Sequence, residues 1–152
     1  MHVDDTDRRL LRQYQADPSL SAAALAELTG LTRAVAWRRL ERMQAAGIIL
    51  GLRGIIDWRA LGYGVEVSLR LTLDKAQPNA FDHAISEARK IPEVIEIQTF
   101  LGRVDLRLSV IARDMQHYQT LYKTRILGLP HIAEIEALMQ VATIKQDESL
   151  PL

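Results

Sequence analysis

Along the chain the spacing of apolar residues changes from a helical to a strand period near its middle. In "DTDRRLLRQYQA" Leu10, Leu11 and Tyr14 recur at helical spacing, and Asp5 or Thr6 stands where a cap is needed. Pro18 in "DPSL" disfavours helix at Asp17 and ends the segment. Ser21 caps "AAALAELTG", which closes at Gly30, a residue able to take the left-handed conformation that terminates helices. Thr32 caps a third helix that runs to about Ala46, before Gly47. Ala36, Leu40 and Met43 fall on one side of that helix, with Ala34, Arg38 and Glu41 on the other. Three helices with a tight glycine turn between the last two make a helix-turn-helix pattern.

"IILGLRGIID" follows, aliphatic and β-branched around Gly51 and Gly54, and reads as a strand or short hairpin forming a wing and linker. "WRALGYG" reads as a hinge. From Val65 the period becomes two: "VEVSLRLTL" places Val65, Val67, Leu69, Leu71 and Leu73 on one face of a strand. "PNAFDHAISEARKI" is an amphipathic helix with Pro78 near its start, where proline is tolerated. "EVIEIQTFLG" and "VDLRLSVIAR" are strands around Gly102–Arg103, and "DMQHYQTLYKTRILGL" is a helix capped by Asp114. "HIAEIEALMQVATIK" opens as a strand through Ile132, Ile135 and Leu138, with helix as a rival on its Ala and Glu content. The order β-α-β-β-α-β is ferredoxin-like. The fold class expected is therefore α+β. A winged-helix-like helix-turn-helix domain with a linker strand is expected over 1–60, and a ferredoxin-like βαββαβ domain over 61–152. The sheet has one face without helices; lined with apolar side chains, that face predicts self-association.

Composition narrows the chemistry. The 152 residues include no Cys, which excludes disulfides, thiolate zinc sites and cysteine nucleophiles. The N-terminus lacks an apolar signal-peptide core, and no apolar run approaches the ~20 residues of a membrane span. A cytoplasmic protein without membrane partners is expected. Net charge is zero, but residues 1–60 hold nine Arg against seven acidic residues, and 61–152 hold ten basic against twelve acidic. Every cation in the first part is Arg, whose planar fork suits phosphates and guanine edges.

"LTRAVAWRRLERM" packs four of those arginines and Trp37 into thirteen residues. An isolated Arg-rich helix is most often a solvated face, but the preceding "SAAALAELTGLT" supplies a supporting helix and turn, which favours DNA reading. Thr32, Arg33, Ala34, Trp37, Arg38 and Arg42 are the candidate contacts, with Arg53 on the wing. Other chemistry finds little support. His2, His83, His117 and His131 are far apart in sequence with no partner at helical spacing, so no metal site is expected. The glycines lack phosphate-loop or dinucleotide spacing, and no serine sits in a nucleophile elbow, so neither cofactor nor catalytic residues are expected. Tyr14, Tyr63, Tyr118 and Tyr122 read as core or interface positions.

The run from "DDTDRRLL" to "WRALGYG", with "AELTGLT", "RRLERM" and "GII" at its centre, resembles the amino-terminal region of Lrp/AsnC (feast/famine) transcriptional regulators. "IPEVIEIQTFLGRVDLRLSVIARD" resembles their ligand-responsive ferredoxin-like domain. The resemblance implies a sequence-specific DNA-binding regulator, a homodimer often stacked into a ring of four dimers, and an amino-acid-like effector between dimers. It places the effector beside a Gly followed three residues later by Asp, here Gly102 and Asp105. Between them the family often has an acidic and an aromatic residue where this chain has Arg103 and Val104; Arg103 cannot pair with an ammonium but can meet a carboxylate. Sirohaem decarboxylases, which are enzymes, share this architecture. Their Arg-His pair before Leu-Gly-Tyr is missing from "IIDWRALGY", which leaves them the lesser alternative.

Overall fold

The computed structural model describes residues 2–146 and 149–152. The chain divides into two compact units, Met1–Ile55 with Lys145–Leu152, and Ile56–Ile144. The sequence suggested a division after residue 60 and gave the C-terminal residues to the second part.

In the first unit, α1 (Asp5–Ala16), α2 (Ala22–Thr29) and α3 (Arg33–Ala45) enclose a core of Leu10, Leu25, Ala26, Ala36, Leu40 and Met43. Ser21 and Thr32 cap α2 and α3 by accepting from the amides of Ala24 and Val35. Gly30 ends α2 at φ 68°, where a β-carbon would be strained, and lets Leu31 N–H return to the Ala26 carbonyl at 2.8 Å. These details follow the sequence reading.

The start of α1 does not. Its cap is Asp4, not Asp5 or Thr6: Asp4 Oδ1 accepts from the Asp7 amide at 2.7 Å, and Asp7 Oδ2 accepts from the Asp4 amide at 3.2 Å. This reciprocal box satisfies two donors that the helix start leaves without partners. The Asp7 carboxylate is fully buried and also takes Arg39 at 2.7 Å and Arg42 at 2.7 Å, while Arg39 reaches Asp4 at 2.8 Å. Arg39 beside it, with the Asp7 amide, pulls the Asp4 carboxyl down to about 2. A carboxyl depressed in the folded state contributes stability above its ordinary value of 3.8, and that stability is lost as pH falls towards 2. The melting temperature of the first unit, followed by circular dichroism, should therefore fall across that window. A melting temperature that stays constant from pH 4 to pH 2 would contradict this.

The expected strand or hairpin at 48–57 is not formed. Gly51 and Gly54 interrupt the run, no strand among the described residues of the first unit stands beside it, and Leu50, Leu52 and Ile55 are exposed. The C-terminal segment lies instead against α1. Gln15 donates to the Leu150 carbonyl at 2.8 Å and accepts from its amide at 3.0 Å, and Arg12 Nε donates to the Leu152 carbonyl at 2.7 Å. A side-chain amide here takes the place of a neighbouring strand, which ties these residues to the first unit.

The second unit is a four-stranded sheet in the order β2-β3-β1-β4, with every pair antiparallel. Its elements are β1 (Val65–Leu73), α4 (Ala80–Ala88), β2 (Val94–Thr99), β3 (Leu106–Ala112), α5 (Met115–Leu121) and β4 (Ile132–Met139), with one π-helical turn, Tyr122–Ile126, continuing α5. This is the ferredoxin-like arrangement. Val67, Leu69, Leu71 and Leu73 join Leu106, Leu108, Val110 and the apolar residues of both helices in one core. Tyr118 is buried there and Tyr122 packs against it, as Tyr14 does in the first unit.

Two expectations about this sheet need correction. The spacing Ile132, Ile135, Leu138 is not a strand period, and the structure resolves it with a bulge. Leu73 faces Ile132 and Thr72 faces Glu134, so residue 133 is skipped and both isoleucines point into the core. Leu138 pairs with Ser68 on the opposite face. That open face is mostly polar, with Ile111 and Leu138 as apolar members beside Glu66 and Ser68. Its rows carry Glu66, Ser68, Arg70 and Thr72 on β1, Arg107 and Ser109 on β3, and Glu134 and Glu136 on β4. Arg70 meets Glu136 at 3.5 Å and Arg107 meets Glu96 at 2.8 Å. Core packing needs only one face of each strand, and here the other face carries most of the sheet's charge.

Candidate DNA interface and effector groove

The arginines of α3 separate into two sets. Arg39 and Arg42 turn to the α1 side and are held by Asp4 and Asp7. Arg33 and Arg38 are exposed, and no ion pair of theirs is found among the described residues. Trp37, 55% exposed, lies on the same outward side. Thr32 is exposed at the positive end of the helix with its hydroxyl oxygen already accepting from Val35, so its remaining capacity is as a donor. Ala34 adds no bulk beside them, and Arg33, Ala34, Trp37 and Ala22 of α2 line a shallow notch. Five of the seven DNA candidates thus share one surface. Arg42 is engaged elsewhere, and Arg53 lies exposed in the irregular segment after α3. The buried Asp7 cluster escaped the sequence reading because it joins residues more than thirty positions apart.

In the second unit Gly102 is exposed at φ 153°, in the loop joining β2 to β3. Arg103 and Val104 line a groove of about 720 Å³ together with Arg70, Thr72, Glu134, Ile135 and Glu136. Thr72 Oγ1 donates to the Arg103 carbonyl at 3.2 Å, which fixes the loop against β1. The groove is lined by two arginines and two glutamates, of which Arg70 and Glu136 already meet each other at 3.5 Å.

Asp105 does not line it. It is 2% exposed; its Oδ2 accepts from the Leu73 amide at 2.8 Å and its Oδ1 meets Lys75 at 2.8 Å. Burial alone pushes this carboxyl up, but the Leu73 amide and Lys75 together hold it below its ordinary value. Asp105 thus joins the start of β3 to the end of β1 and sets the loop that carries Arg103. Asp105→Ala strands a buried N–H and should cost about 1–3 kcal/mol, read as a lower urea midpoint. An unchanged midpoint would show that the loop holds without it.

The histidines hold one surprise. His83 Nδ1 and His131 Nε2 lie 3.1 Å apart, although they are distant in sequence, and His131 has φ 61°. The ring centroids stand 5.2 Å apart with the planes tilted by 60°, and which ring donates across the contact depends on the tautomers. No group of three metal-ligating side chains is found among the described residues. No described helix is long and apolar enough to cross a membrane.

A helix-turn-helix domain joined to a ferredoxin-like domain in one chain is the architecture of a ligand-responsive DNA-binding transcriptional regulator, and comparison with known proteins agrees. Residues 66–150 match the Lrp/AsnC ligand binding domain, and residues 3–49 match a winged helix-turn-helix DNA-binding domain. The chain belongs to the Lrp/AsnC family. It is 28% identical over 150 residues to the DNA-binding transcriptional activator DecR of Escherichia coli (strain K12), covering 99% of each chain. An AsnC family transcriptional regulator from Agrobacterium tumefaciens superimposes with a TM-score of 0.87 at 28% identity, over 97% of this chain and 96% of that one. A feast or famine regulatory protein of M. tuberculosis, solved in complex with L-methionine, superimposes with a TM-score of 0.84 at 25% identity, over 98% and 99%. These relatives are named as regulators.

Proposed function

We propose that this chain is a cytoplasmic, homodimeric regulator that reads a pseudo-palindromic DNA site with α3 and answers to a zwitterionic amino acid. The observation that carries the reading is the division of the α3 arginines. Two are spent on holding the helix to α1, and two are left outward beside Trp37. In this account Arg38 reads a base edge, Arg33 and Thr32 contact phosphates, and Ala34 lets the helix approach the groove floor. Arg53 adds a phosphate contact from the segment that follows. Arg42 positions α3 rather than touching DNA. Two copies of α3 in a dimer enter successive major grooves, which sets the half-site spacing.

The effector reading rests on the groove beside Arg103. Its carboxylate partners are Arg103 and Arg70, and its ammonium partners are Glu134 and Glu136 on β4. The acidic role that many relatives place on the loop thus passes to a strand in this chain. Gly102 and Val104 shape the loop and wall, and Asp105 fixes the loop from behind. Dimers stacked through these grooves, in a ring of four by the family resemblance, change the spacing of their DNA-reading helices when the effector is wedged between them. That is coupling between two distinct sites. The sirohaem-decarboxylase alternative gains no support from the groove, which holds no histidine.

A thermal-shift screen of the twenty amino acids tests the effector. A ligand that binds only the folded chain at 100 times its Kd stabilises it by about 2.7 kcal/mol. At least one zwitterionic amino acid should raise the melting temperature, and Arg103→Ala should blunt that shift while DNA binding persists. A flat response to every amino acid would overturn the effector reading and leave the DNA reading standing.

A further inference from the structure

The outward face of α3 carries one feature that phosphate contact leaves unexplained. Trp37 is more than half exposed, and none of its contacts is a hydrogen bond or ring contact among the described residues. Leaving a large indole in water is unfavourable, and an exposed aromatic at the centre of a binding face is a common anchor. It forms one wall of the notch whose other members are Ala34, Arg33 and Ala22 at the first turn of α2. The notch is shallow and open, so a base edge in the groove can lie against its walls. Its walls are apolar apart from Arg33, and two of them are alanines. Nothing in it can pair with the amino group of cytosine, since Ala and Trp lack an acceptor there and Arg has only donors.

We propose that Trp37, with Ala34 and Ala22, is the specificity-determining element for a thymine in each half-site, and that it recognises the C5-methyl group. This rests on the reading of α3 as the DNA-contacting helix and deepens it. In the major groove thymine differs from cytosine by an apolar methyl and by an acceptor in place of a donor. A notch with apolar walls gains from the methyl and leaves a cytosine amino group without a partner. Arg33 at the rim fits the thymine O4 acceptor or the adjoining phosphate. Specificity at this base pair thus comes from burial of one methyl, whereas Arg38 supplies it by hydrogen bonding.

The test uses the full chain and a duplex that it binds preferentially. Each thymine is replaced singly by deoxyuridine, which removes the methyl and keeps the base pair. For the wild-type chain one position in each half-site should weaken binding about fourfold, the effect of removing one methyl from an apolar contact. Trp37→Ala should bind the thymine duplex more weakly and lose its sensitivity to that methyl, while Trp37→Phe should keep most of it. Since Trp37 lies outside the helix core, circular dichroism and melting of both variants should match the wild type. A wild-type chain that discriminates its site yet ignores every deoxyuridine would overturn the proposal, as would full methyl sensitivity in Trp37→Ala. A chain without any preferred duplex would overturn the DNA reading and this inference with it.

Discussion

Replacing Asp7 with alanine is expected to lower the stability of the first unit by about 2–4 kcal/mol. Three interactions end on this one carboxylate, which has no exposed surface: the Asp4 amide, Arg39 and Arg42. Losing the cap partnership alone costs about 1 kcal/mol. The larger part comes from Arg39, whose side chain is only 23% exposed and keeps just Asp4 as its acidic partner. Arg42 is about half exposed and can return to water, which holds the total below the full cost of breaking a buried pair. Each unit has one tryptophan, Trp37 and Trp58, so urea unfolding of a Trp58→Phe background reports on the first unit by fluorescence. An Asp7→Ala midpoint equal to its parent would show that the cluster is decorative.

Arg38→Ala should act on DNA and leave folding alone. If Arg38 reads a base edge, its loss costs about 1–3 kcal/mol on the preferred site and relaxes preference at one position, with non-specific affinity little changed. Arg33→Ala should instead weaken binding on all duplexes alike and reduce its salt dependence, the mark of a phosphate contact. Arg42→Ala is the informative control. Its guanidinium is tied to Asp7 at 2.7 Å, so the variant should melt earlier while keeping the base preference of the wild type. Equal loss of specificity in Arg38→Ala and Arg42→Ala would mean that α3 presents a different face to DNA.

The helix-turn-helix and the strand order are legible in the chain because their signals are local. Ser21, Thr32 and Gly30 act within one turn of the residues they cap, and the alternation of β1 survives in the structure residue for residue. What the sequence hides is non-local. Nothing near Asp7 announces that Arg39 and Arg42 will reach it, so Arg42 looks like any other cation of α3. The three-residue spacing of Ile132 and Ile135 makes sense only with the bulge opposite β1. The segment at 48–57 has strand-like residues, but a strand forms only where another supplies its hydrogen bonds, and none does among the described residues of this unit. The candidate effector groove is a mixed case: the sequence marks the loop by Gly102 and Asp105, while its glutamates come from β4. Asp105 itself, read as a ligand residue, is used by Leu73 and Lys75.

The most direct measurement is selection of binding sites from a random duplex library with the purified full-length chain, at a stated salt concentration. The account expects one enriched pseudo-palindromic motif with half-sites about one helical turn apart, and loss of preference at one base pair per half-site when Arg38→Ala is selected in parallel. Retention of all duplexes alike, or the same motif at undiminished strength from Arg38→Ala, would contradict the claim that the outward face of α3 reads DNA.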